Sequence, residues 1–466
     1  MTTIHPGARP TAVHEGHRRQ YRRVFLLVFT VAMCGKLIDG YVQAVGPGLA
    51  MATRQLDMSA LWQGLVGAGA LIGCFVGGPL FGWLTDRYGR KPLVVFTMAA
   101  YLVGCLAQLW VTTAGQLFAV RLFIGMIIGA EYVVTSPMVA EFAPARRRGT
   151  LLASLQFGWY VGFILAYVVG YLVAESAPDA WRWPFAGAAV LAALGLCLAL
   201  RVPESPAWLA GRGRRAEAER LVARRIGPAY DLDAFAPKSA ESGTSSRQGA
   251  GWALLLGREY RKRTVFVCVF WACSVLPYFA IGTFAPQVLS ALGLGNGLAA
   301  SVATSVLAVV GSAIGVVLVD RTGRRPLVLW TFWISAVALA VIGLWSGAPV
   351  AVVVICFLVF SFFNAAQGVL PGVYPKELFP AQVRAGASGI GTAVSRAASA
   401  AGTFLLPLAM DRFGVSATIL LAAAVLVCGA AVSHVLAPET RGASLAGAST
   451  SATSSPADGR DGRPKG

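Results

Sequence analysis

Apolar residues in this chain neither alternate nor recur at a simple three-four spacing. They come in long runs, each closed by a short stretch rich in Gly, Pro or charge. Runs of about 18–25 residues match what an α-helix needs to cross a hydrocarbon core. The pattern predicts twelve membrane-spanning helices, over residues 24–45, 60–84, 93–111, 117–142, 150–174, 183–201, 264–290, 298–319, 327–346, 350–374, 387–410 and 416–436. The polar stretch 202–263, rich in Arg, Ala, Ser and Gly, divides them six and six. The expected organisation is therefore a tail (1–23), a six-helix bundle (24–201), a linker (202–263), a second bundle (264–436) and a disordered tail (437–466). Within the linker, 212–225 reads as a short amphipathic helix and 241–249 as flexible chain.

Composition agrees with lipid as the main solvent, since 56% of the 466 residues are hydrophobic and 13% charged. The first run is not a cleavable signal, because no small-residue cleavage site follows a short apolar core. All eight cysteines fall inside apolar runs without a C-x-x-C pair, which points to packing rather than to disulfides or a metal site.

A net charge of +18 invites a nucleic-acid reading, so the placement of the cations decides. Most of the 39 Lys and Arg lie in the N-terminal tail, the linker, the C-terminal tail and the loops after helices two, four, eight and ten. The opposite loops carry Arg54, Arg182 and Arg412. The positive-inside rule then puts both termini and the linker in the cytoplasm, with the basic residues orienting a multi-pass protein of the cell membrane and no role for nucleic acid.

Three patterns occur once in each half, roughly 235 residues apart. Asp86-Arg87-Tyr88-Gly89-Arg90-Lys91-Pro92 returns as Asp320-Arg321-Thr322-Gly323-Arg324-Arg325-Pro326. Glu141-x-x-Pro144-x-x-x-Arg148 returns as Glu377-x-x-Pro380-x-x-x-Arg384. Pro203-Glu204-Ser205 returns as Pro438-Glu439-Thr440. Three matches in register imply duplication of a six-helix unit. Each Asp-Arg-x-Gly-Arg-Arg/Lys segment reads as a tight turn in which Gly permits unusual backbone angles and cations sit beside acids at helix ends.

With these motifs the chain resembles the major facilitator superfamily, in its sugar-porter-like branch, over residues 20–440. Ile38-Asp39-Gly40-Tyr41 and Gly129-Ala130-Glu131-Tyr132 are similar to metabolite:proton symporters and, more loosely, to aromatic-acid:proton symporters. The resemblance implies an all-α integral membrane protein of two pseudo-symmetric six-helix bundles. It also implies a cytoplasmic gate in which Asp86, Arg87, Gly89, Arg90, Glu141, Arg148, Glu204, Asp320, Arg321, Arg324, Glu377, Arg384 and Glu439 link the halves and hold an outward-facing state. The plainer alternative is that these charges fix topology and shape the loops.

Five charges fall within the apolar runs: Lys36, Asp39, Arg121, Glu131 and Arg396. Each costs about 2.5–3.5 kcal/mol on insertion scales unless partnered or solvated. Lys36, Asp39 and Gln43 share one face of helix one, which is expected to line a cavity. Asp39 and Arg121 fall at similar depth, and in the related proton-coupled sugar porters an acid of helix one faces an arginine of helix four. The expectation is that Asp39 carries the coupling proton with Arg121 as its alternating partner, against a permanent structural pair with Lys36 or Arg121. Glu131 is a second acid, a proton site or a packing partner. Arg396, near the midplane of helix eleven, suits a substrate carboxylate, against pairing with Glu131 or helix carbonyls. Tyr278, Gln367, Trp271 and Phe279 are candidate cavity residues in helices seven and ten, which Pro and Gly interrupt.

Departures from the family pattern fall where substrate is read. Hexose porters carry paired glutamines early in helix seven and a tryptophan in helix ten, where this chain has Cys273, Ser274 and Gln367; Gln156 in helix five matches. The aromatic-acid group's second helix-one aspartate is Val42 here. The leading expectation is proton-coupled symport of a small polar or anionic metabolite, a carboxylate before a hexose, by a monomer without cofactor or metal. Proton-antiport efflux of a drug or secondary metabolite is the alternative, and a non-transporting sensor a remote one. The chain shows no nucleophile–base spacing, metal-ligand set or nucleotide-binding loop that would make it an enzyme or couple it to ATP directly.

Overall fold

The computed structural model describes residues 12–144, 148–177, 179–227, 260–345, 347–372, 374–379 and 381–439, with the isolated residues 232, 255 and 257. Among them every regular element is helical: α1 (Ala12–Gln43), α2 (Gly46–Gln55), α3 (Ala60–Tyr88), α4 (Arg90–Ala107), α5 (Ala114–Phe142), α6 (Arg148–Ser176), α7 (Arg182–Ala186) and α8 (Ala189–Ala199) form the first half. The short α9 (Pro206–Gly211) and α10 (Arg215–Leu221) follow. The second half contains α11 (Arg261–Thr283), α12 (Ala285–Ala291), α13 (Gly297–Thr322), α14 (Arg324–Leu344), α15 (Val350–Gln367), α16 (Tyr374–Leu378) and α17 (Ala381–Leu436). The expected flexible segment 241–249 and the tail beyond 439 lie outside the described residues.

Among the described residues eleven helical stretches are long and apolar enough to cross a membrane. The last, Gly386–Leu436, holds two crossings, because Gly414 at φ 79° turns the chain inside α17. The twelve predicted spans are thereby accounted for. Composition explains the continuity of these helices: in a bilayer each backbone N–H and C=O must bond within its own helix. Polar side chains appear at the ends, where Thr113 accepts a hydrogen bond from Gln116 N and Asn296 from Ala299 N.

The repeated turns are the tightest connections. Gly89 (φ 100°, ψ 175°) closes α3 and opens α4 with no loop between, and Gly323 (φ 93°, ψ 165°) does the same for α13 and α14. That backbone region is open only to glycine at low cost, which is why both copies of the motif keep it. We call the end bearing these turns, where the described chain begins at residue 12 and ends at residue 439, the tail face, and the other the distal face.

Two apolar clusters form the core, one drawn mainly from the first half and one mainly from the second, and each takes in residues of the other half: Phe279 and Ala308 join the first, Leu49 and Trp181 the second. In the first, α3 lies against α5 so closely that a Cβ on Gly129 would sit 2.5 Å from Gly78 N. Across the halves α17 packs on α3 and α13 on α6. Near the distal face the Tyr167 hydroxyl donates to Gly282 O. A Cβ on Gly46 would lie 2.6 Å from Thr283 O. This side of the seam is shut.

Candidate functional site

Between the halves lies a cavity of about 550 Å³. Its walls come from α6 (Gln156, Trp159, Tyr160), α11 (Trp271, Ser274, Tyr278, Phe279), α13 (Ser312), α15 (Asn364) and α17 (Ser395, Arg396, Ser399), with Tyr132 of α5. Several of its polar groups are already engaged. Asn364 Nδ2 donates to Ser274 O at 3.2 Å, Ser395 Oγ to Thr392 O and Ser399 Oγ to Ser395 O, both at 2.8 Å.

Arg396 is the cation of this cavity. Its Nη2 donates to the Tyr132 hydroxyl at 3.1 Å, and its guanidinium lies 5.1 Å from the Tyr132 ring centre and 5.9 Å from that of Phe279. Its Nε has no hydrogen-bond partner. Among the described residues no carboxylate comes within ion-pair distance of it, so neither the expected Glu131 alternative nor a helix carbonyl takes it.

Behind Tyr132, away from the cavity, lies a buried charge cluster. Lys36 Nζ is 2.6 Å from Glu131 Oε2 and 3.9 Å from Asp39 Oδ2, and it stands 3.7 Å from the Tyr132 ring centre. Gln43 Nε2 donates to Asp39 Oδ1 and Thr135 Oγ1 to Glu131 Oε1, while Asp39 Oδ2 has no hydrogen bond. Asp39 and Glu131 are wholly buried, and Lys36 and Gln43 are 5% exposed. Two buried carboxylates thus share one ammonium. One ionised carboxylate balances it, and holding both ionised would leave a net charge in a low-dielectric interior.

The structure corrects three expectations. The face bearing Lys36, Asp39 and Gln43 does not line the cavity; it packs into the first half, because two acids and a lysine satisfy one another away from water. Asp39 is not paired with Arg121. The Arg121 side chain, 2% exposed, donates from Nε to Val66 O at 3.1 Å and from Nη2 to Val42 O at 3.0 Å, so it caps the carbonyl end of α1. Lys36 is the cation beside Asp39 instead. Gln367 is buried without partners for its amide and stands outside the cavity wall. Gln156, Tyr278 and Arg396 do line the cavity.

At the tail face the repeated motifs fold into two matching clusters. Glu204 Oε1 accepts from Arg90 N at 2.9 Å and Lys91 N at 3.1 Å, and Glu141 pairs with Arg90 while accepting from Ser205 Oγ. In the second half Glu439 accepts from Arg324 N at 3.1 Å and Arg325 N at 3.0 Å, and Arg324 Nη2 lies 3.0 Å from Glu377 Oε1. An acid at each helix N-terminus meets the free N–H groups and the positive end of the dipole. Asp86 contributes its backbone carbonyl, which accepts from Trp208 Nε1 at 3.0 Å, and Arg87 and Arg321 are exposed. The gate ion pairs found between described side chains each join residues of one half. The side chains of Arg148, Asp320 and Arg384 lie outside the described set.

Tyr132, the residue that touches both the cavity and the cluster, was not singled out by its chemistry in the sequence. Its position next to an intramembrane glutamate was the available signal.

Comparison with known proteins fits this geometry. Residues 22–451 match the family described as sugar (and other) transporter. The chain is 35% identical over 414 residues to the inner membrane metabolite transport protein YgcS of Escherichia coli, covering 88% of this chain and 91% of that one. It is 28% identical over 436 residues to the D-xylose-proton symporter of the same species, covering 84% and 87%. The inward open conformation of the xylose transporter XylE from E. coli superposes with a TM-score of 0.75 at 23% identity, over 91% of this chain and 99% of that one, a likeness of fold.

Proposed function

The chain belongs to the sugar (and other) transporter family, within the major facilitator superfamily, and on that premise we propose that it moves a small polar or anionic metabolite, a carboxylate before a sugar, by proton-coupled symport with alternating access. The observation that carries the substrate class is Arg396, a guanidinium on the wall of the cavity between the halves with no carboxylate among the described residues within ion-pair distance. A substrate carboxylate supplies the missing anion through paired N–H donors. Midway between the halves is also where such transporters expose a site to each side in turn.

The buried cluster supports the proton. Asp39 and Glu131 share Lys36, so either carboxylate takes up a proton without leaving the lysine unpaired. A proton entering down a gradient contributes about 2.3 kcal/mol per 100 mV. The basic loops orient the protein with both termini in the cytoplasm. In this reading the closed distal seam is the outer gate of a state that faces inward, and the substrate and protons are the partners of a monomer.

A sugar is the second reading. The family description and the symporter relative favour it, and Gln156, Asn364 and the Tyr278 hydroxyl are hydrogen-bonding groups on the wall. Purified protein in liposomes separates the two: pyruvate, benzoate, gluconate and D-xylose are offered under an inward proton gradient. Accumulation of a carboxylate that Arg396→Ala abolishes supports the first reading; accumulation of xylose alone supports the second. Export of bulky compounds against proton flow, with uptake of none of the four, contradicts both.

A further inference from the structure

Among the described residues Tyr132 contacts both charged systems. Its hydroxyl accepts from Arg396 Nη2 at 3.1 Å on the cavity side, and its ring carries Lys36 Nζ 3.7 Å from the centre. Lys36 in turn holds Glu131 at 2.6 Å and Asp39 at 3.9 Å. Two cations, one free to meet substrate and one neutralising the buried acids, therefore lean on a single ring. We propose that Tyr132 is the positioning residue through which an anion bound at Arg396 changes the proton occupancy of the Asp39–Glu131 pair. The inference rests on the symport reading above and deepens it.

The physical chain is short. An anion in the cavity competes with the phenol for the Arg396 N–H donors, because a charge-assisted bond to a carboxylate is the stronger. Released from Arg396, the phenol regains electron density and its ring holds Lys36 more firmly. Lys36, 2.6 Å from Glu131, then neutralises the two acids less completely, and the deficit is met by a proton from water on Asp39 or Glu131. Anion binding and proton uptake thus favour each other, as symport requires, and by linkage the reverse holds with equal strength. Among the described residues the other titratable groups facing the cluster are Cys74 of α3 and Tyr101 of α4, both buried. Neither is altered in the variants compared below.

The test is calorimetric binding of pyruvate, benzoate and gluconate to the full-length protein in detergent, in buffers of different ionisation enthalpy, which yields the number of protons taken up per anion bound. The wild type is expected to bind at least one of the three with proton uptake. In Tyr132→Phe the ring stays and the hydroxyl goes: affinity changes by less than about 150-fold, the ceiling for one hydrogen bond to a charged group, while proton uptake falls by at least half. Lys36→Met cuts the chain on the other face of the ring and is expected to lower the proton number in the same way. Proton uptake unchanged in Tyr132→Phe overturns the inference. So does a wild type that binds none of the three anions. In that case D-xylose accumulation under a proton gradient would still uphold proton-coupled transport, whereas a wild type that binds an anion yet accumulates nothing under the gradient undoes the transport reading instead.

Discussion

Replacing Lys36 with methionine keeps the length of the side chain and removes the one ammonium that the structure places beside both Asp39 and Glu131. The ionised carboxylate it balances is then buried and unpaired. Breaking a buried pair in this way costs about 3–5 kcal/mol if the charge stays. Protonation offers a cheaper exit. Neutralising a carboxyl with an ordinary pKa of about 4.3 costs about 3.7 kcal/mol at pH 7 and about 1 kcal/mol at pH 5, at roughly 1.36 kcal/mol per unit. The destabilisation of Lys36→Met is therefore predicted to be large at neutral pH and to shrink by about 2–3 kcal/mol as the pH falls to 5. The assay is thermal unfolding in detergent at both pH values, with the double variant Lys36→Met, Glu131→Gln as control. The double variant removes the stranded charge, so it is expected to be more stable than Lys36→Met at pH 7 and to lose the pH dependence. Equal destabilisation at pH 5 and pH 7, with no rescue by Glu131→Gln, would refute the charge accounting on which the cluster is read.

Arg396→Ala is predicted to leave the fold intact and weaken binding of a carboxylate substrate by about 10–150-fold, the range for one charge-assisted contact; isothermal calorimetry measures it, and unchanged affinity would remove the substrate argument. Gly89→Ala places a side chain at φ 100°, with its Cβ 2.6 Å from Glu204 Oε2, and is predicted to cost about 1–3 kcal/mol of stability. Gly323→Ala meets Glu439 Oε2 at 2.8 Å and is expected to behave alike, whereas Gly211→Ala, in open space, is expected to be silent in the same melting assay. Tyr167→Phe removes the hydroxyl that bonds Gly282 O across the distal seam. It is predicted to shift the balance toward a distal-open state by about two- to tenfold, read by alkylation of a cysteine introduced at Thr283 in a cysteine-free background; no change in accessibility would mean that the bond does not hold the seam.

The helices were legible because the bilayer imposes a length and an apolar composition that survive in one dimension. The turn at Gly414 was legible too, as a short polar interval between two runs, although the backbone there stays helical enough on both sides to read as one long element. The duplication carried further: Glu204 and Glu439, matched by sequence alone, cap α4 and α14 in the same way. What the sequence did not carry was the rotation of one helix against another. Lys36 and Glu131 are 95 residues apart on different helices, and nothing in either segment says that they meet at 2.6 Å. For the same reason the similar depth of Asp39 and Arg121 and the family resemblance point to a pair, whereas the Arg121 guanidinium turns to the carbonyls of Val42 and Val66. Arg396 was found because an arginine in mid-membrane is costly wherever it points. Tyr132 is not legible in this way, because a tyrosine there carries no such cost.

In the mechanism proposed above a proton gradient drives substrate inward through the Asp39–Glu131 pair, and Asp39→Asn leaves Glu131 to balance Lys36 alone. The direct measurement is uptake into liposomes holding either the wild type or Asp39→Asn, with an imposed inward proton gradient and with none, using whichever of pyruvate, benzoate, gluconate or D-xylose the wild type accumulates. Gradient-driven accumulation is expected from the wild type, and from Asp39→Asn only equilibration or exchange of the same compound. Uphill accumulation by Asp39→Asn at the wild-type level would contradict that mechanism.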